Sequence, residues 1–336
     1  MKIAVDGFGG DNAPLSVLEG SAAAVAEYGV EVVITGDSES FQQLCEQHQI
    51  STKGFTFVKT ESVLDMHDDP TDILGAKKDS SMAVALKMVA DGEADAFVSA
   101  GSTGGVVVGA TLITKRIKGV KRCAITTVIP TTERQYVLID SGANVDCRPE
   151  MLVQFALMGS AYAKCVLGIE NPKVGLVNNG TEESKGGELQ LAAHELLKQA
   201  PVNFIGNIEA RELALDGCDV AVCDGFTGNI ILKNTEGVGK AMANQMKSMF
   251  MSGLTGKLAG LMVMKHIKAF KKKMDYTEYG GAPMLGSTKP VIKAHGSSNA
   301  KSFKNAIRQA KLMIDSDIIE KLTKQISETK GRGEGK

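Results

Sequence analysis

Short apolar runs rich in β-branched residues recur over about the first 230 residues and alternate with segments of helical periodicity. After the opening strand in IAVDG, these runs are EVVITG, FTFVKT, DAFVSA, CAITTVI, QYVLID, KVGLVN, VNFIG and DVAVCD. Several are apolar at nearly every position, which is typical of strands covered on both faces. The alternation predicts an α/β protein with a mostly parallel sheet.

Two alanine-rich segments, GSAAAVAEYG and SSMAVALKMVADG, have the periodicity of amphipathic helices. Each ends at a glycine, Gly29 in the first and Gly92 in the second. Glycine is the usual C-terminal stop of a helix because it adopts the left-handed conformation without a steric penalty. We therefore predict that the two helices end next to these glycines.

Residues 237–274 depart from the alternation. GVGKAMANQMKSMFMSG predicts one helix, and LTGKLAGLMVMKHIKAFKKKM predicts a second that is apolar nearly all round at LAGLMVM and then rich in lysine. We predict a helical pair that projects from the sheet and meets a second subunit, a membrane surface or a partner protein. Residues 1–328, including this pair, are assigned to a single catalytic unit, and the polar residues 329–336 to a flexible tail.

The net charge of −1 hides an asymmetry between two parts of the chain. Residues 1–232 hold 18 Lys and Arg against 31 Asp and Glu, whereas residues 233–336 hold 20 against 8. A basic C-terminal third favours an acidic partner, either a protein, an anionic lipid surface or a nucleic acid. Nucleic acid fits least well, because no aromatic residues interleave with the lysines.

Two further features bear on localisation. We expect no signal peptide, because Lys2 leads into a short strand, and no apolar stretch is long enough to cross a bilayer. The six cysteines form no C-x-x-C pair. We expect a cytoplasmic protein with packing thiols. LAGLMVM is too short to span a membrane, but the lysines beside it favour peripheral contact with a membrane surface.

Glycine-rich or small polar loops follow five of the predicted strands: VDGFGGD, SAGSTGG, DSGAN, NNGTEESKGGE and CDGFTGN. The carboxyl ends of parallel strands lie along one edge of a sheet, where ligands bind in open α/β folds. Several of these loops lead into helices, whose N-termini favour an anion. We expect the five loops to share one edge, with Asp6 and Asp11 orienting loop amides.

Named nucleotide motifs are absent from these loops. The first loop has Gly7 and Gly9 followed by Asn12, so it is not G-x-G-x-x-G, and GTEESKGG is not a P-loop. The five histidines show no metal-ligand spacing, so we predict neither a metal nor a cofactor. Lys185, in an acidic loop, and His295, in KPVIKAHGSS, remain as candidates to bind a phosphate or an oxyanion.

Taken together, these segments resemble the acyl-ACP:phosphate acyltransferase (PlsX) family of bacterial phospholipid synthesis. DGFGGDNAP, SAGSTGG, GANVDCRPE, NNGTEESKG, FIGNIEAR, DGFTGNIILK, YGGAPMLG and PVIKAHGSS occur in the order of the family and with its approximate spacing. The family usually has asparagine where Ser102 stands, which puts a ligand role of that side chain in doubt. The likeness runs nearly end to end.

The resemblance implies transfer of a fatty acyl group from acyl carrier protein to inorganic phosphate, giving acyl-phosphate for a membrane acyltransferase. It also implies a homodimer with a three-layer α/β/α fold like that of isocitrate and isopropylmalate dehydrogenases. Acyl carrier protein is acidic, so the basic C-terminal third becomes its expected docking face.

The resemblance assigns site roles by position. Lys185 is expected to neutralise phosphate or the tetrahedral oxyanion, Asn229 to donate to the same oxygen, and His295 to donate or shuttle a proton. Expected substrate-binding residues are Gly10, Asp11, Gly101, Ser102, Thr103, Gly104, Asn144, Gly180, Thr181, Asp224, Thr227 and Gly228.

Three alternatives stay open. One is a phosphate acyltransferase that uses short-chain acyl-CoA. Another is an NAD-dependent dehydrogenase with Mg²⁺ held by Asp6, Asp11 and Asp224, although no arginine cluster for a dicarboxylate is visible. The third is a non-enzymatic scaffold that binds acyl carrier protein through its basic face.

Overall fold

The computed structural model of the protein describes residues 1–273 and 279–333, and within these residues it forms one eleven-stranded sheet. The strands are β1 Lys2–Asp6, β2 Glu31–Gly36, β3 Phe55–Lys59, β4 Ala96–Ser99, β5 Ala124–Pro130, β6 Gln135–Ile139, β7 Lys173–Asn178, β8 Asn203–Glu209, β9 Val220–Val222, β10 Gly281–Leu285 and β11 Val291–Ala294. All nine predicted strands are present. The sequence patterns did not predict β10 and β11.

Helices connect most of the strands. They are α1 Leu15–Tyr28, α2 Ser38–Gln47, α3 Ser81–Ala90, α4 Thr103–Leu112, α5 Pro149–Cys165, α6 Glu188–Leu197, α7 Ala210–Leu213, α8 Gly225–Met251, α9 Gly253–Lys273, α10 Ala300–Asp315 and α11 Ile318–Gly333. The predicted stops are confirmed, because α1 is capped by Gly29 in the left-handed conformation and α3 ends two residues before Gly92.

The sheet consists of two parallel blocks that run in opposite directions. Its order is β3-β2-β1-β4-β11-β10-β5-β6-β9-β7-β8. The first five strands are mutually parallel and so are the last four, but β10 and β5 join the two blocks through antiparallel pairs. The prediction of a mostly parallel sheet is confirmed.

This topology makes one expectation wrong. The loops after β1 and β4 leave one edge of the sheet, whereas the loops after β6, β7 and β9 leave the opposite edge. The reason is that three successive antiparallel pairings, β11–β10, β10–β5 and β5–β6, lie between the blocks, and an odd number of such pairings reverses the strand direction. The five glycine-rich loops therefore do not share one edge.

Alternating strand residues enter different cores, so both faces of the sheet are covered. In β1, Ile3 and Val5 belong to a core that extends over both blocks, whereas Ala4 points to a separate core on the other face. In β6, Val137 belongs to the shared core and Leu138 to a third core. One face thus carries a continuous core and the other carries two, which gives a layered α/β/α body.

The predicted helical pair corresponds to α8 and α9, which pack against each other. Helix α8 begins at Gly225, twelve residues before the predicted start of the pair, and the last predicted residue of the pair lies outside the described residues. Helix α11 extends to Gly333, into the segment predicted as a tail, and residues 334–336 lie outside the described residues. None of the described helices combines the length and apolarity needed to cross a membrane.

Candidate active site

A groove of about 410 Å³ opens on the face of the sheet that carries the two separate cores. Strand β5 explains its position: Ile125 contributes to one core and Ile129 to the other, while Thr127 lies between them on the same face and lines the groove. We call this cavity the central groove. It occupies the gap where the two cores meet.

Helix α8 forms one wall of the central groove. Asn229, Lys233 and Glu236 line it and lie at helical spacing on one face. These positions span roughly 10 Å along the helix axis at about 1.5 Å per residue. The wall therefore reaches from the loop after β6, near Gly142, to the loop after β11, near His295.

The polar end of the central groove contains three basic side chains. Lys293, near the end of β11, points its ammonium at the carbonyl oxygens of Ala100 (3.4 Å) and Ala294. Burial, followed by the neighbouring charge of Lys233, lowers the pKa of Lys293 to about 8. Lys233 forms an ion pair with Glu236 at 2.8 Å.

His295 lies next to these lysines. Its Nε2 is 3.2 Å from the Lys233 Nζ, and its Nδ1 is 2.9 Å from the Ser297 Oγ. Burial and the positive charge of Lys233 lower the pKa of His295 below its ordinary value of 6.5. The imidazole is therefore neutral at pH 7 and acts as an acceptor or donor without a charge of its own.

Asp140 holds the loop at the other end of the central groove. Its carboxylate accepts hydrogen bonds from the backbone N–H groups of Ile125, Gly142, Ala143 and Asn144 and from the Asn144 side-chain amide. These bonds fix the loop against which α8 begins. Although burial raises the pKa of Asp140, the same hydrogen bonds favour its carboxylate form.

The acidic first loop contacts its neighbours through backbone and serine groups. Asp6 is buried and accepts hydrogen bonds from the Ser81 and Ser99 hydroxyls at 2.6 and 2.7 Å. A β-carbon on Gly9 would lie 2.7 Å from the backbone nitrogen of Gly101, so glycine is needed where the two loops touch. The carboxylate of Asp6 thus organises loops, as the sequence predicted.

Four of the predicted site residues line the central groove: Asp11, Thr103, Asn229 and His295. The remaining predicted residues of the first two loops flank Asp11 and Thr103 in sequence, and Ser102 caps α4 by accepting from the Gly105 N–H. Others build the start of α8, where Asp224 accepts from the N–H and hydroxyl of Thr227. The substrate contacts assigned to these residues stay predictions.

The Lys185 loop lies outside the central groove. Lys185 is exposed, and its carbonyl oxygen accepts a hydrogen bond from the Asn178 side chain at 3.1 Å. Gly180 and Thr181 belong to the same loop and do not line the groove either. Lys185 therefore does not line the groove with Asn229 and His295, and its catalytic role stays a prediction.

Lys233 and Lys293 are groove residues that the sequence patterns did not indicate. Once the structure is known, a sequence feature can be recognised for each of them. Lys233 follows Asn229 by one helical turn, so both lie on the same face of α8. Lys293 interrupts the apolar run of β11 and precedes His295 by two residues.

A possible cation site lies away from the central groove. Ligand atoms of Glu183, His194 and Glu195 come within 4.8 Å of one another. The Lys198 ammonium already bridges the two carboxylates, at 2.7 Å from Glu183 and 3.2 Å from Glu195. These carboxylates therefore have a counter-ion within the chain itself.

Comparison with known proteins decides the family. A sequence profile described as "Fatty acid synthesis protein" matches residues 1–321. The chain is 47% identical over 323 residues to the phosphate acyltransferase of Clostridium botulinum (strain Loch Maree / Type A3), with 96% of each chain covered. The chain belongs to the PlsX family of phosphate acyltransferases. It is accordingly an acyltransferase, and the predicted family membership is confirmed.

Solved structures share the fold of this PlsX family member. A phosphotransacetylase from Streptococcus pyogenes has a TM-score of 0.63 at 18% identity and covers 95% of this chain and 94% of its own. A Salmonella typhimurium structure described as a 4-hydroxythreonine-4-phosphate dehydrogenase has a TM-score of 0.50 at 9% identity, with 93% and 99% covered. The predicted dehydrogenase-like α/β fold is confirmed.

Proposed function

We propose that this protein transfers a fatty acyl group from acyl carrier protein to inorganic phosphate. A phosphate oxygen forms a bond to the thioester carbonyl carbon, and the carbon–sulfur bond breaks. The proton of hydrogen phosphate passes to the leaving sulfur, so the products are acyl-phosphate and the free thiol of the carrier. The acyl-phosphate then serves phospholipid synthesis through phosphatidic acid.

The observation that carries this proposal is the combination of basic and apolar side chains in the central groove. Lys233, Lys293 and His295 lie together at one end, and apolar side chains that include Ile125, Val128 and Leu232 line the groove alongside polar ones such as Thr127 and Asn229. A basic end suits phosphate, and an apolar wall suits an acyl chain. The reaction needs both reactants beside each other, and a single groove provides this proximity.

This chemistry does not require a serine or cysteine nucleophile. Phosphate is already nucleophilic because its second pKa lies near neutrality, and a thiolate is a good leaving group. Asn229 lines the groove and is proposed to donate to the oxyanion of the tetrahedral intermediate. One such donor contributes about 3 to 4 kcal/mol to lowering the barrier.

The partners are proposed from the charge and exposure of the C-terminal third. An acidic carrier protein is attracted to this basic part of the chain, and the attraction weakens as salt rises. Exposed apolar side chains on α9, such as Leu261 and Met262, favour a homodimer contact. Peripheral contact with a membrane surface is the alternative use of the same face.

The test is release of the carrier thiol from palmitoyl-acyl carrier protein, measured with and without inorganic phosphate and with palmitoyl-CoA and acetyl-CoA in parallel. We expect release that requires phosphate and is fastest with the carrier-bound substrate. Equal rates with acetyl-CoA would instead support a short-chain enzyme. Release of the carrier thiol at the same rate with and without phosphate would contradict the proposal and indicate a thioesterase.

A further inference from the structure

We propose that Lys293 is the phosphate-binding cation of the central groove, and that phosphate binds at the Lys293–His295 end of the groove. This inference rests on the function proposed above and adds to it the location of the phosphate. It also moves the binding role away from Lys185, where the sequence placed it.

The first argument is the absence of a counter-ion at Lys293. Within the described residues its ammonium bonds to two carbonyl oxygens, those of Ala100 and Ala294, and forms no ion pair with a carboxylate. Lys233, the neighbouring lysine, does have such a partner in Glu236. Asp6 and Asp11 act on this partly buried ammonium by their charge but form no ion pair with it, so a ligand anion would be its direct charged partner.

The second argument is how Lys293 is held. Its strand β11 pairs with β4 on one side and with β10 on the other, so the lysine stands inside the sheet and not on a loop. In the pairing of β11 with β4, Lys293 lies opposite Ser99, whose hydroxyl donates to Asp6. A cation fixed by two neighbouring strands is preorganised for a small anion.

The third argument comes from the other groups at this end of the groove. Thr103, which lines the groove, is the first residue of α4, and Ser302 lies in the first turn of α10. Both helices have ten or more residues, and their positive N-terminal ends add to the attraction for an anion. Asp11 and Glu236 also face the groove, so the geometry selects a small anion seated at Lys293 and not a broad anionic surface.

The Lys185 loop has the opposite surroundings. Lys185 is exposed, and Glu182, Glu183 and Glu188 lie within three residues of it along the chain. An anion at this loop meets carboxylates and full solvent screening. The central groove supplies partial burial, a fixed ammonium and a neutral imidazole at one place.

The test compares phosphate binding and kinetics in Lys293→Met, Lys293→Arg and Lys185→Met, with Lys173→Met as a control for an exposed lysine at the start of β7. Loss of a charged hydrogen bond predicts that Lys293→Met raises the KM for phosphate about 10- to 100-fold. The KM for the acyl carrier substrate stays unchanged. Lys293→Arg keeps the charge and retains most of the affinity, and Lys173→Met behaves as the wild type.

Two further measurements keep the outcomes separable. Broadening of the inorganic phosphate signal in phosphorus NMR reports binding without turnover, and circular dichroism reports folding of each variant. One outcome is that the wild type binds phosphate, seen as a broadened signal, while folded Lys293→Met does not. If the wild type then shows no acyl transfer, the proposed function fails but the phosphate site at Lys293 is supported. An unchanged KM in folded Lys293→Met, or a rise confined to Lys185→Met, would overturn the inference. Should Lys293→Met not fold, weak phosphate binding by folded Lys293→Arg at pH 7 would overturn it as well.

Discussion

At Gly228, the second glycine after β9 and a residue in the first turns of α8, a β-carbon would lie 1.9 Å from the carbonyl oxygen of Asp140. The start of α8 therefore touches the backbone of the loop that forms one end of the central groove. We expect Gly228→Ala to lower the free energy of unfolding by about 3 kcal/mol or more, because overpacking against fixed backbone forces α8 to move. Urea denaturation measures the change.

Gly239 provides the matched control on the same helix. It is exposed, and no atom lies within 4 Å of the position that a β-carbon would take. Gly239→Ala should raise the free energy of unfolding by about 0.5 to 1 kcal/mol, because alanine loses less entropy in a helix interior than glycine. Equal effects of the two substitutions would contradict the close contact at Gly228.

The lowered pKa of Lys293, about 8, predicts how phosphate binding depends on pH. The ammonium loses its proton as pH rises through this value, so phosphate affinity should fall roughly fivefold between pH 8 and pH 9. The charges acting on Lys293 are Lys233 on α8, which lowers its pKa, and Asp6 and Asp11 at the first loop, which raise it. His295 titrates below 6.5 and does not contribute in this range.

The measurement is the KM for phosphate from about pH 8 to about 9.5, where phosphate stays mostly dianionic. In Lys293→Arg the curve should be flat, since the guanidinium keeps its proton throughout. A wild-type curve as flat as that of the arginine variant would show that Lys293 does not titrate as a phosphate ligand.

Single residues also show how far the sequence was informative about the site. Thr103, Asn229 and His295 were found because they lie in glycine loops or beside them, where a polar residue stands out. Lys233 and Lys293 were missed because each belongs to a helix or a strand, where a lone lysine has the appearance of a solvated side chain. Only the folded structure, in which Lys293 lines the groove, shows where its side chain points.

Among the elements, β10 and β11 and the start of α8 were missed. YGGAPMLG and PVIKAHGSS resemble family motifs, and they contain β10 and β11. These strands have only five and four residues, and they carry no alternating pattern of apolar and polar positions. Glycines at the start of α8 indicated a loop, whereas the structure uses Gly228 for contact with the loop at Asp140. Local patterns report propensity, but these elements are set by tertiary contacts.

The hydrogen bonds of Asp140 give a prediction for the loop after β6. Its two carboxylate oxygens accept from backbone N–H groups at residues 125 and 142–144. Asp140→Asn replaces one acceptor by a donor, which leaves N–H groups unsatisfied in a buried place. We expect a loss of about 3 kcal/mol in the free energy of unfolding.

Asp224→Asn is the control for this substitution. Asp224 caps α8 by accepting from the Thr227 N–H at 2.8 Å, and an asparagine oxygen accepts the same bond. The change at Asp224 should stay within about 0.5 kcal/mol, because asparagine and aspartate are equally good N-caps. A mild effect at Asp140 similar to that at Asp224 would show that the Asp140 hydrogen bonds do not hold the loop.

In the whole molecule, the two parallel blocks of the sheet run in opposite directions and are joined by β10 and β5. The central groove lies where the two blocks are joined. The sequence predicted the α/β class and the parallel character of each block from the apolar runs. It did not reveal the change of direction, since no local pattern records whether neighbouring strands are parallel. For the same reason the expected grouping of loops at one edge was wrong, while Asp11 and Asn229 still meet in the groove.

The exposed apolar side chains of α9 predict self-association of the molecule. Leu261 and Met262 are 69% and 84% exposed, and with the exposed Leu258 they lie at helical spacing, so they form an apolar patch on α9. We expect the double substitution Leu261→Glu and Met262→Glu to shift the protein from dimer to monomer in sedimentation experiments. Leu215→Glu, at a residue that is 72% exposed elsewhere, should leave the mass unchanged. A wild-type monomer at every concentration would contradict the dimer proposal, and vesicle flotation would then test the membrane alternative.

The central claim is that phosphate itself attacks the carrier-bound thioester. Mass spectrometry of the product formed from palmitoyl-acyl carrier protein and isotopically labelled inorganic phosphate tests this most directly. We expect palmitoyl-phosphate that carries the label, in amounts equal to the carrier thiol released. Free palmitate without labelled acyl-phosphate, when formed as fast as the thiol, would contradict the account.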